Sequence, residues 1–287
     1  MIFTLFSCER ERILPFSAVD PLLVFHSIAT VDEPLSVSLE KTSNLTDPEA
    51  GHAYVTSADF SIQHNEQIFE FKGMNSQSPG VFIFEDIIPQ IGDFIKVEVN
   101  IEGLEMCSTE IFIIVNTRSE VTALNYDETS NIPMVKTTVD LDVSDSDPSY
   151  FIIYVEGMIQ NEQTGEIENK RFNLTSNSDL IDNRISSDRS ENTPLLFVVN
   201  TTGAKNKLEM DIEGIPSSFQ PNSPKESLHL IVENLSPDLY EYYLSLELAN
   251  SFDRDRTFQE PFIIHTNIDG GIGIFGTSHI TKHQLNW

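Results

Sequence analysis

Four aspartates, Asp140, Asp142, Asp145 and Asp147, crowd the stretch ahead of Pro148. Hard cations such as calcium take several carboxylate and carbonyl oxygens from one flexible loop, which makes this run the one candidate cation site. Against it, the spacing is not that of an EF-hand, alternation puts Asp140 and Asp142 on the polar face of a strand, and Asp147-Pro148 starts a turn. His279 and His283 stand four apart, yet Thr277–Trp287 has no apolar stripe to support a helix, and no His-Glu-x-x-His occurs. Gly271-Ile272-Gly273-Ile274-Phe275-Gly276 spells G-x-G-x-x-G. A dinucleotide site needs that spelling where a strand feeds a helix, with an acid ~20 residues on. Eleven residues of this sequence follow Gly276, so the glycines are expected to be structural, letting backbone turn tightly or lie close to a neighbouring strand. No Gly-x-Ser-x-Gly elbow is present, and no cysteine stands with a base. No catalytic residue is predicted.

The two cysteines are Cys8 and Cys107, too few for a disulfide framework or a cysteine metal site. Leu5-Phe6-Ser7 ahead of Cys8 resembles a bacterial lipoprotein processing site, where an apolar stretch and a small residue precede a thiol that is lipidated after cleavage. The stretch Ile2–Ser7 is shorter than the ~7–15 apolar residues of a working signal, and no basic residue precedes it. A precursor beginning upstream, cleaved before Cys8, is one reading. An ordinary apolar segment, or a Cys8–Cys107 disulfide, is the other.

The chain that must position these groups has 287 residues, 39% hydrophobic and 22% charged, with Asp+Glu 45 against Lys+Arg 17 and a formal net charge of −28. That balance is globular. It argues against nucleic acid, whose phosphates are bound by clustered Lys and Arg, and against polybasic attraction to a membrane. The dominant hydrophobic period is two. Leu35, Val37 and Leu39 alternate with polar residues, as do Ile95, Val97, Val99 and Ile101, and again Val135 through Val143. This predicts half-buried antiparallel strands. Further strands are expected at Leu22–Ile28, Tyr54–Ile62, Val81–Phe84, Glu110–Val115, Tyr150–Met158, Leu195–Val199, Leu208–Ile212, Leu228–Val232 and Phe262–Thr266. One helix is predicted over 236–249, opened by Ser236-Pro237-Asp238 as cap, first-turn proline and first-turn acid. Its stripe is Leu239, Tyr242, Tyr243, Leu246 and Ala249, with tyrosines in the core and at its rim. Residues 161–193, rich in Asn, Ser and Asp, read as an irregular surface region.

The expected fold is therefore all-β: two consecutive β-sandwich domains, with the helix packed on a sheet of the second. The organisation is a residual signal and tether over 1–19, an N-terminal sandwich over 20–118, a linker over 119–133, and a second sandwich over 134–287 ending in a glycine-rich strand.

The ending Glu260-Pro261 through Gly276 resembles the close of the domain of unknown function 4249 family, lipoproteins of Bacteroidota often encoded beside TonB-dependent receptors. Asn267, Gly270, Gly271, Gly273, Phe275 and Gly276 match its motif position by position. Ser236-Pro237-Asp238-Leu239-Tyr240 resembles the family's single helix, Asp147-Pro148 with Tyr150 and Tyr154 its second-half opening, and Pro79-Gly80 through Gly103 its transthyretin-like or immunoglobulin-like N-terminal domain. The resemblance implies lipidation at Cys8, an outer-membrane location and a TonB-dependent receptor as partner. It brings no catalytic residue and no cofactor, calcium on the aspartate run being the one candidate. The expected function is a lipid-anchored binding or accessory protein in nutrient uptake, with a surface adhesion or structural module as the alternative.

Overall fold

In a computed structural model the alternation becomes burial. Along β1 (Leu23–Thr30) every second residue is buried, and β2 (Leu35–Lys41) repeats the pattern through Leu35, Val37 and Leu39. The structure describes residues 20–42, 53–113, 117–127, 134–143, 148–160, 164–182, 184, 195–200, 206–215, 226–251 and 263–286. After β2 come β3 (Ala53–Tyr54), β4 (Ser57–His64), β5 (Gln67–Asn75), β6 (Val81–Phe84), β7 (Phe94–Asn100) and β8 (Cys107–Phe112). The second half holds β9 (Thr117–Asp127), β10 (Met134–Val143), β11 (Ser149–Gln160), β12 (Ile167–Thr175), β13 (Leu196–Asn200), β14 (Asn206–Glu213) and β15 (Ser227–Leu235). Helix α1 (Pro237–Ser251) and β16 (Gly271–Gln284) follow. The protein is all-β, with one helix among the described residues.

Strands β5-β4-β7-β8 form a four-stranded sheet, and the other twelve form one large sheet. Its order is β3-β2-β1-β16-β15-β11-β12-β14-β10-β9, with β6 on β2 and β13 on β11. The first core lies between the small sheet and the β1-β2-β6 end of the large one, where Phe60 meets Phe82 and Phe84 at 4.9 and 5.0 Å between ring centroids. The second core forms where the large sheet folds back on itself. There β12 serves two layers, pairing with β11 through Ile167–Phe172 and with β14 through Asn173–Thr175. A third apolar cluster joins α1 to the outer face of β11, β13 and β16.

Strand β16 ties both sandwiches together. Gly271–Ser278 pair in parallel with β1, and Ser278–Gln284 pair antiparallel with β15. Along the first half no strand among the described residues lies beside the second edge, and side chains take the place of one. Thr266 Oγ1 accepts from the Gly273 N–H (3.0 Å), Asn267 accepts from the Phe275 N–H (2.9 Å) and donates to its carbonyl (2.8 Å), and Ser236 Oγ accepts from the Thr277 N–H (3.1 Å). The Ser236 N–H donates to the Thr277 carbonyl (3.0 Å). Asp269 exchanges two backbone hydrogen bonds with Ser108 of β8, which pins the small sheet to the same turn. Burying such groups unpaired would cost roughly 1–3 kcal/mol each.

Several sequence expectations are corrected here. The stretch 119–133, read as linker, contains most of β9, which pairs along β10. Among the described side chains of β9, Val121 and Leu124 pack against the second core and are only partly buried. The irregular region contains β12, exposed until Phe172 and Leu174 enter the core. Strand β5, not foreseen, is an edge strand exposed on most of its length. The expected strand Phe262–Thr266 is unpaired from Ile263 onward, and Ile263 is 85% exposed. Ser236 turns its hydroxyl to β16 and not to the helix it precedes, and α1 runs two residues past Ala249. Its most buried residues are Leu239, Tyr240 and Leu244, because α1 carries apolar residues nearly all round and the sheet selects the stripe. Cys107 is a buried free thiol, and Cys8, its alternative disulfide partner, lies outside the described residues.

Two glycines of β16 are set by close approach. A Cβ on Gly273, where φ is +122°, would lie 1.9 Å from the Phe25 carbonyl oxygen. One on Gly276 would lie 2.6 Å from Leu239 Cβ, so α1 rests directly on this glycine. Gly273→Val should therefore cost more than about 4 kcal/mol, at the extreme of single substitutions. Thermal unfolding followed by circular dichroism would show a loss of cooperative melting or a large fall in Tm. A second expectation concerns Asn267. Asn267→Ala orphans two backbone groups of Phe275 and should lower stability by about 2–4 kcal/mol. Asn267→Asp keeps the acceptor but loses the donor, so urea titration should place it between alanine and wild type.

Candidate functional site

The residues singled out in the sequence do not converge. Asp140 lies in β10 and accepts from the Thr122 hydroxyl across the strand pair (3.2 Å). Asp142 is in the same strand, while Asp145, Asp147 and Cys8 lie outside the described residues. Among the described residues no three His, Cys, Asp or Glu side chains come together to hold a metal. His279 and His283 sit on β16, where His283 Nε2 is 2.8 Å from Ser119 Oγ of β9, and burial lowers the His283 pKa despite nearby Glu120. Gly270 turns the chain into β16, and Gly271, Gly273, Phe275 and Gly276 are strand residues. The N–H groups of Gly273 and Phe275 are bound by Thr266 and Asn267, so this G-x-G-x-x-G offers no helix N-terminus to a phosphate.

What the fold does assemble lies under α1. Strand register places Phe197 of β13 and Glu233 of β15 opposite Ile152 of β11, and Arg171 of β12 opposite Glu156. Because successive side chains alternate between faces, Ile152, Tyr154 and Glu156 share one face with Phe197, Glu233 and Arg171. The first half of α1 covers part of that face through Leu239, Tyr240 and Leu244. It is clamped there: the Tyr240 hydroxyl donates to Asp182 (3.1 Å), and Arg184 bonds both Asp182 (2.7 Å) and Glu241 (2.6 Å). His265 Nε2 lies 2.9 Å from Asp238 in the first turn. The tyrosines of the helix divide as core and rim, with Tyr240 fully buried and Tyr242 and Tyr243 half-buried.

The C-terminal half of α1 walls a groove of about 320 Å³. Ile152, Phe197, Leu195 and Leu246 make its apolar surface, and Tyr154, Tyr243, Arg171 and Glu233 bring polar groups to it. The Arg171 guanidinium lies over the Tyr154 ring, 4.6 Å from its centroid, an attraction between cation and ring quadrupole. It makes no hydrogen bond to any described residue. Glu233 accepts from Ser278 Oγ (2.6 Å). Burial raises the Glu233 pKa, and the Ser278 hydrogen bond and the Arg171 charge offset this only in part. Tyr243 is pushed up to about 12, first by burial and then by Glu233 and the neighbouring tyrosines. A few polar groups converging with aromatic rings on an apolar floor are what a small-molecule site requires.

A model of the family described as Domain of unknown function (DUF4249) matches residues 12–284. The chain belongs to this family. The match runs from ahead of β1 to the end of β16, so it takes in both sandwiches, the helix and the groove. None of the curated proteins matches the chain. Membership agrees with the glycine motif and helix that carried the resemblance in the sequence. The groove residues were not legible there, because Arg171 fell in the stretch read as irregular and Glu233 lies just beyond the predicted strand Leu228–Val232. The alternation Arg171-Phe172-Asn173-Leu174 was the signal that could have found β12.

Glu233 supplies a signed test of this geometry. A carboxyl whose folded pKa is raised stabilises the native state fully below its unfolded value, ~4.3, and that contribution is lost as pH rises through the folded value. Glu233→Gln keeps an acceptor for Ser278 and removes the charge. Melting curves should place it above wild type at pH 8, by about 2–4 °C for each kcal/mol gained, with the gap closing at pH 4.

Proposed function

We propose that this protein is a lipid-anchored binding protein of the outer membrane that holds a small ligand in the groove beside α1 and serves a TonB-dependent transporter in nutrient uptake. The observation that carries the reading is the groove itself, an apolar floor with Arg171, Glu233, Tyr154 and Tyr243 brought to it by four different elements. Such convergence is not needed to stabilise a sandwich. The lipoprotein-like Leu5-Phe6-Ser7-Cys8 supports the cellular setting. Among the described residues no helix is long and apolar enough to cross a membrane. In this reading attachment runs through Cys8, cleaved and acylated, with two or more chains needed for stable anchoring.

Metabolic labelling with an alkyne fatty acid tests the anchor. Wild type expressed from its full precursor should incorporate label and fractionate with outer membranes, whereas Cys8→Ser should do neither. Equal labelling of the two would end the proposal.

A further inference from the structure

Three charges in the groove and the field of the whole chain constrain what can enter it. The Arg171 guanidinium lies over the Tyr154 ring, 4.6 Å from its centroid, and hydrogen-bonds no described residue. Glu233, two strands away across β11, presents a half-buried carboxylate bonded by Ser278. Glu247 of α1 also lines the groove. A purely anionic ligand would find Arg171 but must approach a chain of formal net charge −28 and sit beside two carboxylates. A purely cationic ligand would find Glu233 but meet the guanidinium already occupying the Tyr154 face. A molecule carrying both charges escapes both penalties, because its net charge is zero and each end has a counterpart.

We propose that the groove binds a small zwitterion with an apolar side chain, an amino acid or short peptide, its carboxylate on Arg171, its ammonium on Glu233, and its side chain on Phe197, Leu195, Ile152 and Leu246. The inference rests on the groove being a ligand site and names the class of ligand. Arginine suits the carboxylate end because its planar fork bonds both oxygens at once. Tyr154 restrains that fork without consuming its donors, so less freedom is lost on binding. Glu233 suits the ammonium end. Its burial disfavours the lone negative charge, and a ligand cation supplies what the protein leaves short. Tyr243 stands beside it with its hydroxyl kept protonated, as a donor or acceptor. At about 320 Å³ the groove is at the small end of ligand sites, which run from about 300 to 1,000 Å³. That favours one or two residues over a long peptide.

Isothermal titration calorimetry on the full chain would use L-phenylalanine and leucyl-phenylalanine as probes. N-acetyl-phenylalanine lacks the ammonium, phenylalanine amide lacks the carboxylate, and methyl glucoside is an uncharged polyol. Saturable binding of a zwitterion is expected, with each capped analogue weaker by about tenfold or more, the loss of one charge-assisted hydrogen bond. Arg171→Gln should erase the preference over the amide while keeping that over the N-acetyl form, and Glu233→Gln should do the reverse. A merely structural role for either residue would not split the analogues in this way. Arg171 is exposed, and Glu233→Gln is expected to stabilise the fold, so both variants remain measurable. Equal binding of the capped analogues, or binding of the glucoside alone, would overturn the zwitterion assignment and leave the groove as a ligand site. No binding of any probe would overturn the assignment. If, in addition, filling the groove by Leu246→Trp left nutrient uptake by cells unchanged, the ligand-binding reading would fall with it.

Discussion

Every backbone N–H and C=O of a buried strand must find a partner, and β16 meets that demand on behalf of both sandwiches. Its first half closes the β1 side of the first core and its second half lies on β15. The problem is the free edge from Gly273 to Thr277, where β15 has already turned into α1. Thr266, Asn267 and Ser236 solve it with side chains that imitate a strand. Asp269, in the same turn, reaches the small sheet through Ser108. The segment 266–269, together with Ser236, thus satisfies one strand and joins two sheets.

The position of α1 follows from that arrangement. Ser236 binds Thr277 on both its backbone and its hydroxyl, so the helix starts against β16. Gly276 then lets Leu239 come down onto the strand, and Ile274 and Phe275 point to opposite faces, one under the helix and one into the first core. The clamp of Asp182, Arg184 and Glu241 holds the other flank. A single helix anchored at its start covers only part of a twisted sheet face. The uncovered part, between Tyr243 and the face of β11, is the groove.

The groove's chemistry depends on pairing, not on proximity in sequence. Arg171 and Tyr154 meet because β12 lies beside β11, and Glu233 joins them from the opposite neighbour, β15. Ser278 reaches Glu233 from β16. A carboxylate left half-buried with a hydroxyl partner costs stability in the free protein, the kind of local expense that binding sites retain.

The sequence by itself determined the all-β class, the strands whose inward positions are regularly apolar, the start of the helix and the structural character of the glycine run. These are properties of local period and of backbone that a residue type permits, so they can be read without knowing any neighbour. It did not determine β5, β9 or β12. Among the described residues these strands bury few side chains along much of their length, and their pairing partners, not their composition, make them strands. Nor could it say which face of an apolar helix would be buried, or that Asn267 would stand in for a missing strand. The groove was likewise decided only by tertiary structure. Its residues come from positions 152 to 250: strand register, set by long-range backbone hydrogen bonding, places the sheet residues on one face, and the packing of α1 brings Tyr243 and Leu246 to them.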